Sequence, residues 1–294
     1  ALRDMGSKTN LIKTLRSKNF DTLFYLISLE RKESSIKRDL VFFRMAGIKR
    51  VIGDSLVTTL PSRKIRGGLP TLPHQTDDLL SRLKAAGLEV PSGAEIDFSL
   101  SINDRERNSL EKWIQTLPKS GSRPLVAICP GSKMPAKRWP IDRYEEVTNL
   151  LIEKHDVWPI VFGGPEDQSL GQYLIEKWRR GWVAAGSLDV RGSVAAMEKC
   201  SFYMGNDSGP MHMAVAAGIP CVAIFSSRDY PGRWYPYGQG HYVFRANVEC
   251  EGCMLQECKR EKMKCIMSIN AGAVYSAAVE LLEKSHKNFS YEVD

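Results

Sequence analysis

Three short loops in the second half of this sequence concentrate side chains that bind anions and hydroxyl groups. The first is Gly205-Asn-Asp-Ser-Gly-Pro-Met-His212, which follows an apolar run ending at Met204 and leads into an Ala-rich helical stretch. Pro210 fits the first turn of that helix. Ser208 and Gly209 then precede backbone amides without intrahelical partners, and such amides at the positive end of a helix dipole suit a diphosphate. Asp207 is placed to accept hydroxyl hydrogens from a ribose or a sugar, and His212, one turn into the helix, to donate to a phosphate or a departing diphosphate. The competing reading is a tight strand-to-helix turn with Ser208 as helix cap and His212 packed.

The second loop, Pro130-Gly-Ser-Lys-Met-Pro-Ala-Lys-Arg-Trp-Pro140, carries Ser132, Lys133, Lys137 and Arg138. Basic residues opposite a helix N-terminus clamp a diphosphate from the other side and offset its charge as it leaves; otherwise they form a solvated basic loop. In the third, Gly163-Gly-Pro-Glu-Asp167, Glu166 is poised to hydrogen-bond hydroxyls or a base, and Asp167 reads as a cap for the next helix.

A fourth cluster is Cys250-x-x-Cys253-x4-Cys258-x6-Cys265. Three arrangements fit it: a reduced structural loop, a tetrahedral structural zinc site, or disulfides, which a reducing cytoplasm disfavours. The spacing departs from common zinc ribbons, whose Cys-x-x-Cys pairs lie farther apart. In none of the three are the cysteines catalytic. Cys129, Cys200 and Cys221 sit in apolar runs and read as inert core.

The chemistry-bearing loops all follow apolar runs. Residues 125–129, 158–162, 182–185, 202–204 and 221–225 read as buried parallel strands. Helical stretches at 142–154, 167–180, 194–199 and 210–217 alternate with them, which predicts a doubly wound α/β sheet with its ligand beyond the carboxyl ends of the strands. The earlier sequence predicts strands at 21–27 and 49–52 and helices at 39–46, 77–86 and 101–119. A boundary near Ser120-Gly-Ser122 then gives domains 1–120 and 121–294.

With 294 residues, 43% of them hydrophobic, the chain is long enough for two cores. No window reaches the roughly 18 uninterrupted apolar residues of a membrane span, and no signal-peptide pattern opens the chain. A soluble, cytoplasmic protein is expected. The formal charge of +7 favours an anionic partner. No zinc-finger spacing, basic-aromatic stripe or RNP-like string points to nucleic acid, which is not expected as a partner.

The run 125–281 resembles the C-terminal half of glycosyltransferase family 9, the lipopolysaccharide heptosyltransferases. Asp207-Ser-Gly-x-x-His212, Lys137-Arg-Trp-Pro140, Gly163-Gly-Pro-Glu166, the 234–238 stretch and the four-cysteine segment occur in the family's order. Residues 44–53 and 74–87 resemble its first domain more loosely. The resemblance implies a GT-B fold, α/β with two Rossmann-like domains and parallel sheets, and inverting transfer without a chelated metal or other cofactor. It implies that Lys137 stabilises the diphosphate, that Ser132 and Lys133 line the phosphate site, that Glu166 contacts nucleoside or sugar, and that Asp207, Ser208, Gly209 and His212 hold diphosphate and sugar. The implied donor is an ADP-heptose-like nucleotide-sugar. The implied acceptor is a lipid-linked core oligosaccharide, which brings peripheral contact with the inner-membrane surface.

The family opens with a strand and a Gly-Asp loop whose aspartate is the expected base, whereas this sequence starts Ala1-Leu-Arg-Asp-Met. Asp4 stands in the wrong order to serve. The first domain is therefore expected to be incomplete, and the chain to bind a nucleotide-sugar but transfer it slowly or not at all. Two other readings stay open: a nucleotide-sugar epimerase of the same architecture, and a non-catalytic nucleotide-sugar-binding module.

Overall fold

The computed structural model describes residues 5–27, 32–53, 68–259 and 261–289. The chain divides into two compact units, Ala1–Ile65 with Pro73–Ile96, and Arg66–Leu72 with Asp97–Asp294.

The first unit contains α1 (Met5–Ser17), β1 (Thr22–Phe24), α2 (Glu33–Met45), β2 (Arg50–Ile52) and α3 (Gln75–Ala85). β1 and β2 pair in parallel, Thr22 with Arg50 and Phe24 with Ile52, and a parallel pair needs the crossover that α2 supplies. Tyr25, Ile36, Ala46, Ile48 and Ile52 are buried in this unit. Arg82 of α3 is buried as well, held by Asp78 one turn earlier (2.6 Å) and by the Ile27 carbonyl (2.8 Å). The helix α1 had no counterpart in the sequence reading: its polar residues leave only Leu11, Ile12 and Leu15 to mark an apolar face.

The second unit begins with α4 (Asp104–Gln115) and continues through β3 (Leu125–Cys129), α5 (Ile141–His155), β4 (Trp158–Val161), α6 (Gln168–Trp178), β5 (Trp182–Val183), α7 (Val190–Met197), β6 (Phe202–Asn206), α8 (Gly209–Ala216), β7 (Cys221–Phe225), β8 (Tyr242–Arg245), α9 (Lys264–Met267) and α10 (Ala271–Phe289). All pairings in its sheet are parallel, and the strand order is β5-β4-β3-β6-β7-β8. The chain starts at the middle of the sheet, moves outward to β5, then returns to lay β6 on the other side of β3. The order reverses between β3 and β6, the place where open α/β sheets bind ligands.

Burial on both faces explains the near-continuous apolar strands. Ala127 and Cys129 face a core shared with Leu110 of α4, Val194 of α7 and Ala214 of α8. Val126 and Ile128 face the opposite core with Val147 of α5, Leu174 of α6 and Ala278 of α10. Because Leu110 belongs to this core, α4 joins the second unit, and the compact units divide at Ile96 rather than near Ser120. The polar stretch around Ser120 is only the loop from α4 to β3.

Helix ends follow local chemistry. Asn103 and Glu106 form a capping box on α4, Asp189 caps α7 through the Gly192 amide (2.7 Å), and α5 stops at Asp156, which adopts φ 49°.

Candidate functional site

Where the strand order reverses, the loops after β3 and β6 part and open a cleft of about 760 Å³. Ser132, Lys133 and Lys137 line it from the loop after β3, Glu166 from the loop after β4, and Asp207, Ser208 and Gly209 from the loop after β6. Seven of the eight residues selected from the sequence as donor ligands thus meet in one place. The eighth, His212, is exposed on α8 and does not contribute to the lining, whereas its neighbour Met213 does.

Lys137 and Asp207 form an ion pair across the cleft floor, Nζ to Oδ2 at 2.6 Å. The loop carrying Lys137 is folded on itself. Met134 donates its amide to Ser132 Oγ (3.2 Å), and Arg138 Nε donates to the Ser132 carbonyl (2.8 Å). Arg138 therefore closes the loop instead of lining the cleft.

Ser208 occupies the N-cap position of α8 but does not cap it with its side chain; its Oγ donates to the Asn206 carbonyl (3.3 Å). Pro210 carries no N–H, and the Met211 amide is bonded to the Ser208 carbonyl (3.1 Å). Gly209 lies in the lining at this helix end, where first-turn backbone amides point toward a ligand.

Asp167 departs from its expected role. Its side chain makes no hydrogen bond to α6; Oδ2 accepts from the Gly164 amide (3.1 Å) and the carboxylate enters the cleft. A Cβ placed on Gly131 or Gly163 would overlap that carboxylate, so both glycines are needed for its close approach. Burial raises the Asp167 pKa, against the lowering effect of the Gly164 amide. Phe162, Pro165, Leu188, Val190 and Met213 give the lining an apolar stretch that suits the flat face of a nucleobase, beside the polar Asp189 and Ser193.

Asn206 was the main residue missed from sequence. It ends β6 with no exposed surface, and its Oδ1 accepts from the Trp139 amide (3.0 Å) and the Tyr144 hydroxyl (2.9 Å), while Nδ2 donates to the Pro130 carbonyl (2.7 Å). The available signal was an amide closing an otherwise apolar strand run.

The cysteine segment lines no part of the cleft. Cys250, Cys253, Cys258 and Cys265 are free thiols, and the Met263 amide donates to Cys258 Sγ (3.4 Å). Among the described residues no group of three or more His, Cys, Asp or Glu is gathered that could hold a metal ion. The segment braces the cleft instead, since the Gln256 carbonyl accepts from the Ala136 amide beside Lys137 (3.0 Å). Cys129, Cys200 and Cys221 are buried as expected, and burial pushes the Cys129 thiol up to about 12.

A second brace follows β7. Arg228 donates to the carbonyls of Leu255 (2.6 Å) and Met254 (2.8 Å), and Arg245 pairs with Glu251 (2.9 Å), which also accepts from the Leu69 amide (2.6 Å). In the first unit, Asp39 accepts from the Tyr25 hydroxyl (2.9 Å) and Asp21 is exposed; Asp4 lies outside the described residues. Among the described residues no helix is long and apolar enough to cross a membrane.

The family model for glycosyltransferase family 9 (heptosyltransferase) matches residues 9–264. Lipooligosaccharide heptosyltransferase 2 of Haemophilus influenzae is 32% identical over 127 residues, which are 41% of this chain and 36% of that protein. The chain thus spans about a third of the length of such curated relatives, 36% here and 34% for lipopolysaccharide heptosyltransferase 2 of Escherichia coli K12. Among solved structures, E. coli ADP-heptose LPS heptosyltransferase II superposes with a TM-score of 0.64 at 20% identity, covering 96% of this chain and 82% of its own. The glycosyl transferase family 9 protein of Veillonella parvula gives 0.67 at 22% identity, covering 97% and 80%. At these identities the likeness concerns the fold, the GT-B type expected from the sequence.

Proposed function

The chain belongs to glycosyltransferase family 9, and from that premise we propose that its second unit holds a nucleoside-diphosphate sugar, an ADP-heptose-like donor, for inverting transfer to a lipopolysaccharide core acceptor. The observation that carries this reading is the convergence of Lys133, Lys137 and the Gly209 amide in one cleft at the point of strand reversal. The apolar wall of Phe162, Leu188 and Val190 takes the base, Glu166 and Asp167 accept ribose or sugar hydroxyls, and the basic loop takes the diphosphate.

In the reaction an acceptor hydroxyl oxygen forms a bond to the anomeric carbon as the bond from that carbon to the diphosphate oxygen breaks. The electron pair of the broken bond leaves on the nucleoside diphosphate, and the hydroxyl proton passes to a base. Lys137, Lys133 and the Gly209 amide stabilise the negative charge that develops on the leaving group, a service worth most in a site shielded from water. These residues supply the positive charge without a metal or other cofactor. His212, exposed one turn into α8 and outside the lining, is assigned to the sugar.

The acceptor is taken to be a lipid-linked core oligosaccharide on the cytoplasmic side, with contact to the inner-membrane surface made through its lipid. The family match favours transfer over the epimerase alternative and over a non-catalytic module. Thermal shift with ADP-, GDP- and UDP-sugars tests the donor class. Incubation with donor alone and with donor plus core oligosaccharide then separates the reactions, since an epimerase converts the donor without acceptor. Stabilisation by none of the three sugars, or conversion of the donor alone, contradicts the proposal.

A further inference from the structure

Lys137 and Asp207 lie on loops that leave the paired strands β3 and β6. Asn206 ties those loops together beyond the sheet. It is wholly buried at the end of β6, immediately before Asp207. Nδ2 donates to the Pro130 carbonyl (2.7 Å), at the start of the Lys137 loop, and reaches the Gly131 carbonyl at 3.5 Å. Oδ1 accepts from the Trp139 amide (3.0 Å), at the end of the same loop. One carboxamide therefore grips both ends of a loop whose middle carries Ser132, Lys133 and Lys137. The Tyr144 hydroxyl on α5 donates to the same Oδ1 (2.9 Å) and fixes the amide plane from the helix side.

The residue type is demanded by this arrangement. A buried side chain must accept on one end and donate on the other, which Asn does and Asp or Leu does not. Trp139 is anchored as well, its Nε1 donating to the Ile269 carbonyl (3.3 Å) at the far end of the loop.

We propose that Asn206 is a positioning residue for the diphosphate subsite: it holds the Ser132–Lys137 loop against the Asp207–Gly209 loop at the spacing a diphosphate requires, without touching the ligand itself. The proposal rests on reading the cleft as a nucleoside-diphosphate site. It makes a specific demand, because the wall for the base is built from Phe162, Leu188, Val190 and Met213, whereas the hydrogen bonds of the Asn206 carboxamide go to Pro130, Gly131, Trp139 and Tyr144. Loss of Asn206 must then damage recognition of the diphosphate and spare recognition of the nucleoside.

The test compares ADP with adenosine by calorimetry or ligand-observed NMR on the whole chain, for the parent, Asn206→Ala and Tyr144→Phe. Neither variant alters charge near the cleft. Asn206→Ala is expected to lower the ratio of ADP affinity to adenosine affinity by about tenfold or more, the loss expected for a misplaced charged hydrogen bond. Tyr144→Phe, which removes only the hydroxyl that orients the amide, is expected to lower it by about threefold. A general loss of stability moves the melting temperature and leaves that ratio alone. If Asn206→Ala does not fold, the ratio in Tyr144→Phe decides. An unchanged ratio in the folded variants overturns the positioning role while leaving the nucleotide reading intact; a parent protein that binds neither compound overturns both.

Discussion

Lys137 Nζ lies 2.6 Å from Asp207 Oδ2, with only 14% and 6% of the two side chains exposed. Each of these buried charges compensates the other, so neither is left unpaired in the cleft. The pair joins the loops after β3 and β6 directly across the strand reversal. Removing the lysine alone should therefore cost stability, on the order of 1 to 3 kcal/mol, because Asp207 is left without its partner. Chemical denaturation of Lys137→Met should show this loss, and Lys137→Met with Asp207→Asn should recover most of it. Additive losses in the double variant would mean that the two residues do not act as a pair.

His212 is exposed on α8 and outside the lining of the cleft. His212→Ala is accordingly expected to weaken ADP binding by less than about 1 kcal/mol, less than Lys137→Ala does, and to act mainly on the sugar-bearing donor. Calorimetry with ADP and with ADP-heptose separates these contributions; an equal loss for His212→Ala and Lys137→Ala with ADP alone would place the imidazole on the diphosphate.

Asp167 supplies a pH-dependent term. Burial raises its pKa from the ordinary 3.8. A raised folded-state value means a contribution to stability that is fully present below 3.8 and is lost as pH rises through the folded value. Asparagine still accepts from the Gly164 amide and carries no charge, so Asp167→Asn should melt higher than the parent at pH 7, with the difference closing toward pH 4. A difference that does not change with pH would remove Asp167 as its source.

His241 works in the opposite sense. Its Nδ1 accepts from the Cys221 amide (3.1 Å) and its Nε2 pairs with the Tyr237 carbonyl (3.0 Å), an arrangement that requires the neutral ring, and burial lowers its pKa from 6.5. Stability from this group is complete above 6.5 and is lost as pH falls through that value toward the lowered folded one, at no more than about 1.4 kcal/mol per pH unit. Parent protein should lose stability between pH 7.5 and 5 more steeply than His241→Gln, measured by denaturant titration. Parallel slopes would contradict the neutral, buried assignment.

Much of the second unit was legible because its signals are local. The runs Leu125–Cys129 and Cys221–Phe225 are apolar without interruption, and each is followed by a loop rich in Gly, Pro and polar residues, so strand and loop follow from composition alone. The sheet edge was less legible. β8 (Tyr242–Arg245) is half-buried and short, and its pairing with β7 comes from tertiary context. α10 carries helical spacing at Val274, Ala277, Ala278, Leu281 and Leu282 that the strand-centred reading passed over. Asp167 looked like a helix cap because the residue type and position fit one. Only the close approach of Gly131 and Gly163 turns it inward, and that approach joins loops more than thirty residues apart. The role of Asn206 depends on Pro130, Trp139 and Tyr144, three partners that no spacing rule connects to it.

The central claim is that the cleft between the β3 and β6 loops binds a nucleoside-diphosphate sugar through Lys137. Isothermal titration of ADP-heptose into the parent chain and into Lys137→Ala, at fixed ionic strength, tests it most directly. One site per chain is expected, with affinity falling in the variant by the order of 1 to 3 kcal/mol, about 5- to 150-fold. No binding by the parent, or equal affinity for parent and variant, would contradict it.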